Sequence, residues 1–144
     1  MKRLFFIAGE PSGDLHAARL IAAVRERRPD WRITGYGGPG MQDAGMELCF
    51  DLASMAVMGI VEVVRHLGTI RKLMDDLRIR LDRDRPDALV LVDYPGFNLR
   101  AAAMARERGI PVIYYISPQV WAWKKKRIHT LARRVNRMLV ILPF

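Results

Sequence analysis

Short, nearly unbroken apolar runs alternate along this chain with longer stretches whose apolar residues recur at helical spacing. Arg3 to Gly9 reads as a first strand, and Gly13 to Arg28 as a helix with Leu15, Ala18, Ile21 and Val24 on one face, ended by Pro29 and Asp30. Trp31 to Tyr36 is a second strand, followed by the loop Gly35-Tyr-Gly-Gly-Pro-Gly40, whose glycines permit close backbone approach. A short helix is expected near Met41 and a brief third strand from Glu47 to Phe50. Further on, Leu67, Ile70, Leu73, Met74, Leu77 and Leu81 form the stripe of an amphipathic helix, broken at Arg85-Pro86-Asp87. Leu89 to Val92 is too short for a helix and reads as a strand buried on both faces, ending at Asp93 and a Pro95-Gly96 breaker.

A helix from about Asn98 to Arg108 then stops at Gly109, a C-cap signal, and Ile110 to Ile116 gives another buried strand. Ser117 to Trp123 is the loop at its end. Lys124 opens a basic helix with Ile128, Leu131, Ala132 and Val135 at helical spacing, and Arg137 to Leu142 is a last strand. Strands that alternate with helices and are apolar on both sides predict an α/β fold, a Rossmann-like parallel sheet with helices on both faces. Wound that way, strands one and four lie side by side at the switch point, and the loops Gly9 to Asp14 and Asp93 to Asn98 face each other across the crevice. The last strand has no helix after it, so the expectation is one domain, residues 1–144, from a longer chain.

Composition narrows the function classes. With 144 residues, 51% hydrophobic, there is material for one core and no second domain of ordinary size. The formal charge of +9 implies an anionic partner: nucleic acid, a phospholipid surface or a phosphorylated substrate. The single cysteine, Cys49, excludes an internal disulfide and fits a reducing cytoplasm. No apolar stretch reaches the length needed to span a bilayer, so membrane contact is expected to be peripheral. One segment bears on such contact: Leu52 to Leu67 is apolar on nearly every side, interrupted only by Ser54, Glu62, Arg65 and His66. A buried helix, a protein-binding face, or a helix inserted among anionic headgroups with Arg65, Arg71 and Lys72 beside it are the three readings open to it.

Candidate chemistry gathers at strand ends. Asp93, at the tip of a buried strand, stands where a general base is useful, or caps the helix that follows. Gly9-Glu-Pro-Ser-Gly-Asp14 occupies the position of a phosphate loop without its glycine spacing, and Glu10 and Asp14 would repel a diphosphate. Its carboxylates suit sugar hydroxyls, against a reading of Ser12 as N-cap and Asp14 as an acid on the helix dipole. Tyr114, Tyr115, Trp121 and Trp123 near Ser117 and Gln119 read as the wall of a pocket in preference to core. The run Lys124 to Arg127, with His129, Arg133, Arg134 and Arg137 behind it, is a solvated face or a phosphate-binding one. His16, His66 and His129 have no His or Cys partners at ligand spacing, and no Gly-x-Ser-x-Gly elbow occurs.

Five stretches together carry a resemblance to one family. Ala8-Gly-Glu-Pro-Ser-Gly-Asp14, Gly37-Gly-Pro39 with Met41, Val57-Met-Gly-Ile-Val-Glu-Val63, Asp93-Tyr-Pro-Gly-Phe-Asn98 and Tyr115-Ile-Ser-Pro-Gln-Val-Trp-Ala-Trp123 resemble the lipid A disaccharide synthases, in family order along the whole chain. The resemblance implies the N-terminal half of an inverting GT-B glycosyltransferase that uses no metal or other cofactor and works at the inner face of the bacterial cytoplasmic membrane. It implies transfer of 2,3-diacylglucosamine from its UDP derivative to 2,3-diacylglucosamine 1-phosphate. On this sequence it makes Asp93 the base, and it lines the acceptor side with Glu10, Ser12, Gly13 and Asn98. Gln119, Trp121 and Trp123 would shape the interdomain cleft, and Arg127 or its lysine neighbours would meet the acceptor phosphate. Met55, Val57, Met58, Ile60, Val61 and Val64 become the expected contacts with acyl chains and membrane. The half of the GT-B plan that binds the nucleotide lies beyond residue 144, so residues 1–144 alone are expected to be inactive. A non-catalytic basic α/β module that binds nucleic acid or anionic membrane is the alternative; for nucleic acid it is disfavoured because the aromatics are gathered in one loop and not interleaved with the basic residues.

Overall fold

The computed structural model describes residues 2–55, 60–116 and 137–140. They form β1 (Arg3–Ala8), α1 (Pro11–Arg27), β2 (Arg32–Gly37), α2 (Pro39–Asp43), β3 (Glu47–Asp51), α3 (Leu52–Met55), α4 (Ile60–Asp84), β4 (Ala88–Val92), α5 (Pro95–Glu107), β5 (Val112–Ile116) and β6 (Arg137–Val140). The six strands make one sheet in the order β3-β2-β1-β4-β5-β6, and every neighbouring pair is parallel. This is the Rossmann order, with the switch point between β1 and β4 as the strand pattern predicts.

The period-2 alternation of each strand feeds two cores. From β1, Phe5 and Ile7 face the layer of α4 and α5, where Leu73, Leu77, Leu81, Phe97, Ala101 and Ala105 are buried. Leu4, Phe6 and Ala8 face the opposite layer, against Ala17 and Ile21 of α1 and Met41 of α2. Because both faces are covered, both sets of side chains are apolar, and the strands read as continuous hydrophobic runs. Tyr36 ties β2 to α4: its hydroxyl donates to Asp76 Oδ2 at 2.5 Å, and Arg80 Nε donates to the same oxygen at 2.7 Å.

Two residues expected on apolar stripes are exposed. Leu15 is 54% exposed, because α1 presents Gly13, Asp14, Ala17 and Ile21 to the sheet and Leu15 lies off that face. Leu67 is 60% exposed. The stripe of α4 begins effectively at Ile70, since a helix of 25 residues is about 37 Å long and a five-residue strand about 17 Å. The Tyr36 hydroxyl also lies 3.5 Å from the carbonyl of Leu73, which sets that turn of α4 level with the end of β2. The turns before it continue past the carboxyl edge of the sheet, the edge that carries Asp93.

Three helices start earlier than their periodicity indicates, because a proline opens each of them: Pro11 in α1, Pro39 in α2 and Pro95 in α5. Proline suits the first helical turn, where its missing N–H leaves no bond unmade. At the other end of α5, Gly109 (φ +70°) closes a Schellman turn: its N–H donates to Arg106 O at 3.1 Å, and that of Ile110 to Ala105 O at 2.9 Å.

Candidate active site

Two loops leave the carboxyl edge of the sheet at its switch point. Ala8 pairs with Val92, so Gly9-Glu10 from β1 and Asp93-Tyr94 from β4 emerge side by side. Glu10 is extended (φ −133°, ψ 154°), as a residue before proline prefers, and serves as N-cap of α1. Ser12 is exposed inside the first turn and is not the N-cap. Gly13 is buried, and a Cβ there would lie 3.5 Å from Ala8 Cβ and 3.7 Å from Val92 O, so the helix sits closely on the two strand ends. Asp93 is 7% exposed and has φ +48°; Tyr94 follows at φ 45°, ψ 61° and is the N-cap of α5.

The side chains of this cluster feel one another. Burial raises the pKa of Glu10 above the ordinary carboxylate value, and the nearby Asp93 charge adds to the rise. Burial likewise raises Tyr94, with a further contribution from Glu10. The Tyr94 ring lies over Gly9, where a Cβ would come within 2.2 Å of ring atom Cδ2, and it stacks on Phe97 at 6.2 Å. Only glycine fits at position 9 with the ring so placed.

Folding drives Glu10 toward its protonated form. Its contribution to stability is therefore fully present below the ordinary value of 4.5 and is lost as pH rises through its raised folded value. Glu10→Gln should flatten the pH dependence of unfolding on the alkaline side of 4.5; denaturant titrations at several pH values check this, and parallel curves for the two proteins would contradict it.

Asn98, expected along the acceptor side, is fully buried. Its Nδ2 donates to the carbonyls of Asp93 at 2.8 Å, Val92 at 3.3 Å and Ile7 at 3.4 Å, joining the ends of β1 and β4. Its Oδ1 is buried with no hydrogen-bond partner among the described residues. Asp14, 8% exposed, is an acid in the first turn of α1, as the helix-dipole reading has it. Its carboxylate accepts from Gly40 N at 3.0 Å and Met41 N at 2.9 Å, satisfying backbone donors at the start of α2. Asp14→Ala should therefore cost about 1–2 kcal/mol of stability, read from the urea midpoint.

Tyr114 is core and not pocket wall: it is fully buried in the α4 and α5 layer, while Tyr115 is half-buried against the α1 layer. Met55 is partly buried against the core. Ile60, Val61 and Val64 belong to α4, with their side chains outside the described part, and Val57, Met58, Gln119, Trp121, Trp123 and Arg127 lie outside the described residues. Tyr94 is the neighbour of the site to which sequence reasoning gave no role. Among the described residues no group of three or more His, Cys, Asp or Glu is arranged to hold a metal ion, and no helix is long and apolar enough to cross a membrane.

What the cluster can do follows from its parts. A buried carboxylate at a strand tip, beside a second carboxylate of weakened acidity and an aromatic wall, suits binding a polyhydroxyl compound and accepting a proton from one of its hydroxyls. The sequence profile of the family described as lipid-A-disaccharide synthetase matches residues 4–144. The lipid-A-disaccharide synthase of Trichlorobacter lovleyi is 48% identical over 143 residues, 99% of this chain and 37% of the relative. That of Nitrosococcus oceani is 51% identical over 138 residues, 96% of this chain and 36% of the relative. The chain thus spans little more than a third of the length of these curated relatives. Among solved structures, MurG of Acinetobacter baumannii superposes with a TM-score of 0.64 at 15% identity, over 99% of this chain and 41% of that one. An MnaA–UDP co-structure from S. aureus does so with 0.64 at 11%, over 97% and 38%. At such identities the likeness concerns fold, and the fold is the Rossmann-like half of the GT-B plan.

Proposed function

We propose, from the premise that this chain belongs to the lipid-A-disaccharide synthetase family, that it is the acceptor-side part of a glycosyltransferase of lipid A biosynthesis. The observation that carries the reading is the burial of Asp93 beside Glu10 at the β1–β4 switch point. In the proposed reaction Asp93 takes the proton from the 6-hydroxyl of 2,3-diacylglucosamine 1-phosphate as that oxygen bonds to the anomeric carbon of UDP-2,3-diacylglucosamine. The bond from that carbon to UDP breaks, UDP leaves with the electron pair, and the anomeric configuration inverts. Glu10 would accept hydrogen bonds from neighbouring sugar hydroxyls, and Gly13 would let α1, with Ser12 exposed in its first turn, sit close to the strand ends beside the acceptor.

The donor's nucleotide would be held chiefly by a C-terminal domain beyond residue 144, as the GT-B plan requires. Gln119, Trp121 and Trp123 would line the cleft between the two halves, and Arg127 would face the acceptor phosphate. Cytoplasmic and peripheral attachment to the inner membrane through Met55, Val57, Met58, Ile60, Val61 and Val64 completes the proposal. It is supported by the overhang of α4 on the Asp93 side of the sheet and by the exposed Leu67 within it. The test is turnover by the full-length protein: UDP and disaccharide 1-phosphate, identified by mass spectrometry, should form from the acylated pair of sugars. Equal rates with deacylated sugars, or no product from the acylated pair, would sink the reading.

A further inference from the structure

Three helices of this fold open on a proline, and two are entered as the residue before proline requires. Glu10 before Pro11 and Gly38 before Pro39 are extended, at φ −133° and −139°. The third entry departs from the rule: Asp93 and Tyr94, neither of them glycine, are both left-handed, at φ +48° and +45°. Each such residue costs of order 1 kcal/mol or more and persists only where its surroundings over-determine it. Those surroundings are visible. The N–H of Asp93 donates to Tyr115 O at 3.1 Å, extending the β4–β5 pairing by one residue, and Asn98 N donates to Tyr94 O at 3.0 Å. Between them the Asp93 carbonyl accepts two side-chain bonds, from Asn98 Nδ2 at 2.8 Å and from the Tyr114 hydroxyl at 2.5 Å.

We infer that Tyr114 is a positioning residue: its hydroxyl, together with the Asn98 amide, clamps the Asp93 carbonyl and so fixes the left-handed turn from which the Asp93 side chain departs. The inference deepens the functional proposal and rests on Asp93 being the base. Tyr114 is suited to this because its ring is locked in the core beneath β5, so the hydroxyl is presented from a rigid element. Asn98 reaches the same oxygen from the first turn of α5. The two donors come from opposite chain segments, and loosening either lets the turn relax toward the extended conformation that Pro95 favours.

The experiment compares full-length wild type with Tyr114→Phe, Asn98→Ala and Asp93→Asn, using UDP-diacylglucosamine and varied acceptor. For Tyr114→Phe, kcat should fall about 10- to 100-fold with the acceptor KM within about twofold. The loss should persist at saturating acceptor, because it is the bound sugar that a displaced base fails to meet. Asn98→Ala, which frees the same carbonyl from its other donor, should show the same pattern and serves if Tyr114→Phe does not fold. Wild-type kcat in the folded variants would overturn the inference, even with a lowered unfolding temperature, since the hydroxyl would then be merely a core bond. An Asp93→Asn protein as active as wild type would instead remove the reading beneath it; an inactive one beside normal Tyr114→Phe and Asn98→Ala proteins removes this inference alone.

Discussion

Asp93→Asn in the full-length protein should lower kcat by about 10²–10⁴-fold, the usual worth of a positioned general base, while leaving acceptor affinity and fold almost unchanged. Asparagine is the substitution of choice for a reason particular to this site. At φ +48° most side chains are strained, but Asn and Asp tolerate the left-handed region, so the turn survives while the basicity goes. Alanine would confound loss of the base with loss of the turn. A second readout comes from Glu10, whose raised value owes part of its shift to the Asp93 charge. In the variant that part disappears, so Glu10 should titrate closer to the ordinary carboxylate value, as an NMR titration of its side-chain carboxyl would show. Unchanged turnover in Asp93→Asn would exclude Asp93 as the base whatever Glu10 does.

The largest expected effect on stability lies away from the site, at Gly35. It faces Phe6 across the β1–β2 pairing, next to the point between Gly35 and Tyr36 where the register with β3 shifts past Cys49. A Cβ there would stand 2.0 Å from Phe6 O and 2.8 Å from Phe6 C, both backbone atoms that no rotamer change can move. Gly35→Ala should therefore cost about 3 kcal/mol or more and lower soluble yield sharply. Gly68→Ala is the control. It lies within α4 with nothing inside 4 Å of the added carbon, and should be neutral or stabilising by up to about 1 kcal/mol. Equal unfolding temperatures for the two variants would show that the strands separate readily at Gly35.

The fold was legible because a doubly covered parallel sheet leaves a plain trace. Phe5 and Leu4, or Leu89 and Val90, belong to opposite cores and are nonetheless both apolar, so the strands appear as unbroken runs whose order follows from the crossovers. Helix starts differ for one shared reason: Pro11, Pro39 and Pro95 fall in stretches that read as loop or breaker, although proline is at home in a first turn. The site was legible as far as position goes, since Asp93 ends a buried run. Its geometry was not. That Asp14 bonds the amides of Gly40 and Met41, that Asn98 joins two strand ends, and that Tyr94 lies on Gly9 are contacts between segments far apart in the chain. No local periodicity encodes them. Leu15 and Leu67 miss their stripes because spacing gives the angle around a helix axis but not where the helix lies on the sheet.

The strand order also fixes when the crevice can exist during synthesis. β1 is made first and can pair early with β2, where Arg3 meets Arg32, but its other neighbour is β4, where Leu4 meets Ala88. Until Val92 has left the ribosome, one edge of β1 has no partner and Glu10 has no Asp93 beside it. Long-range pairing of this kind is slow to form. A nascent chain stalled between α4 and β4 should therefore hold an incomplete sheet with an open apolar edge, a state for chaperones to shield.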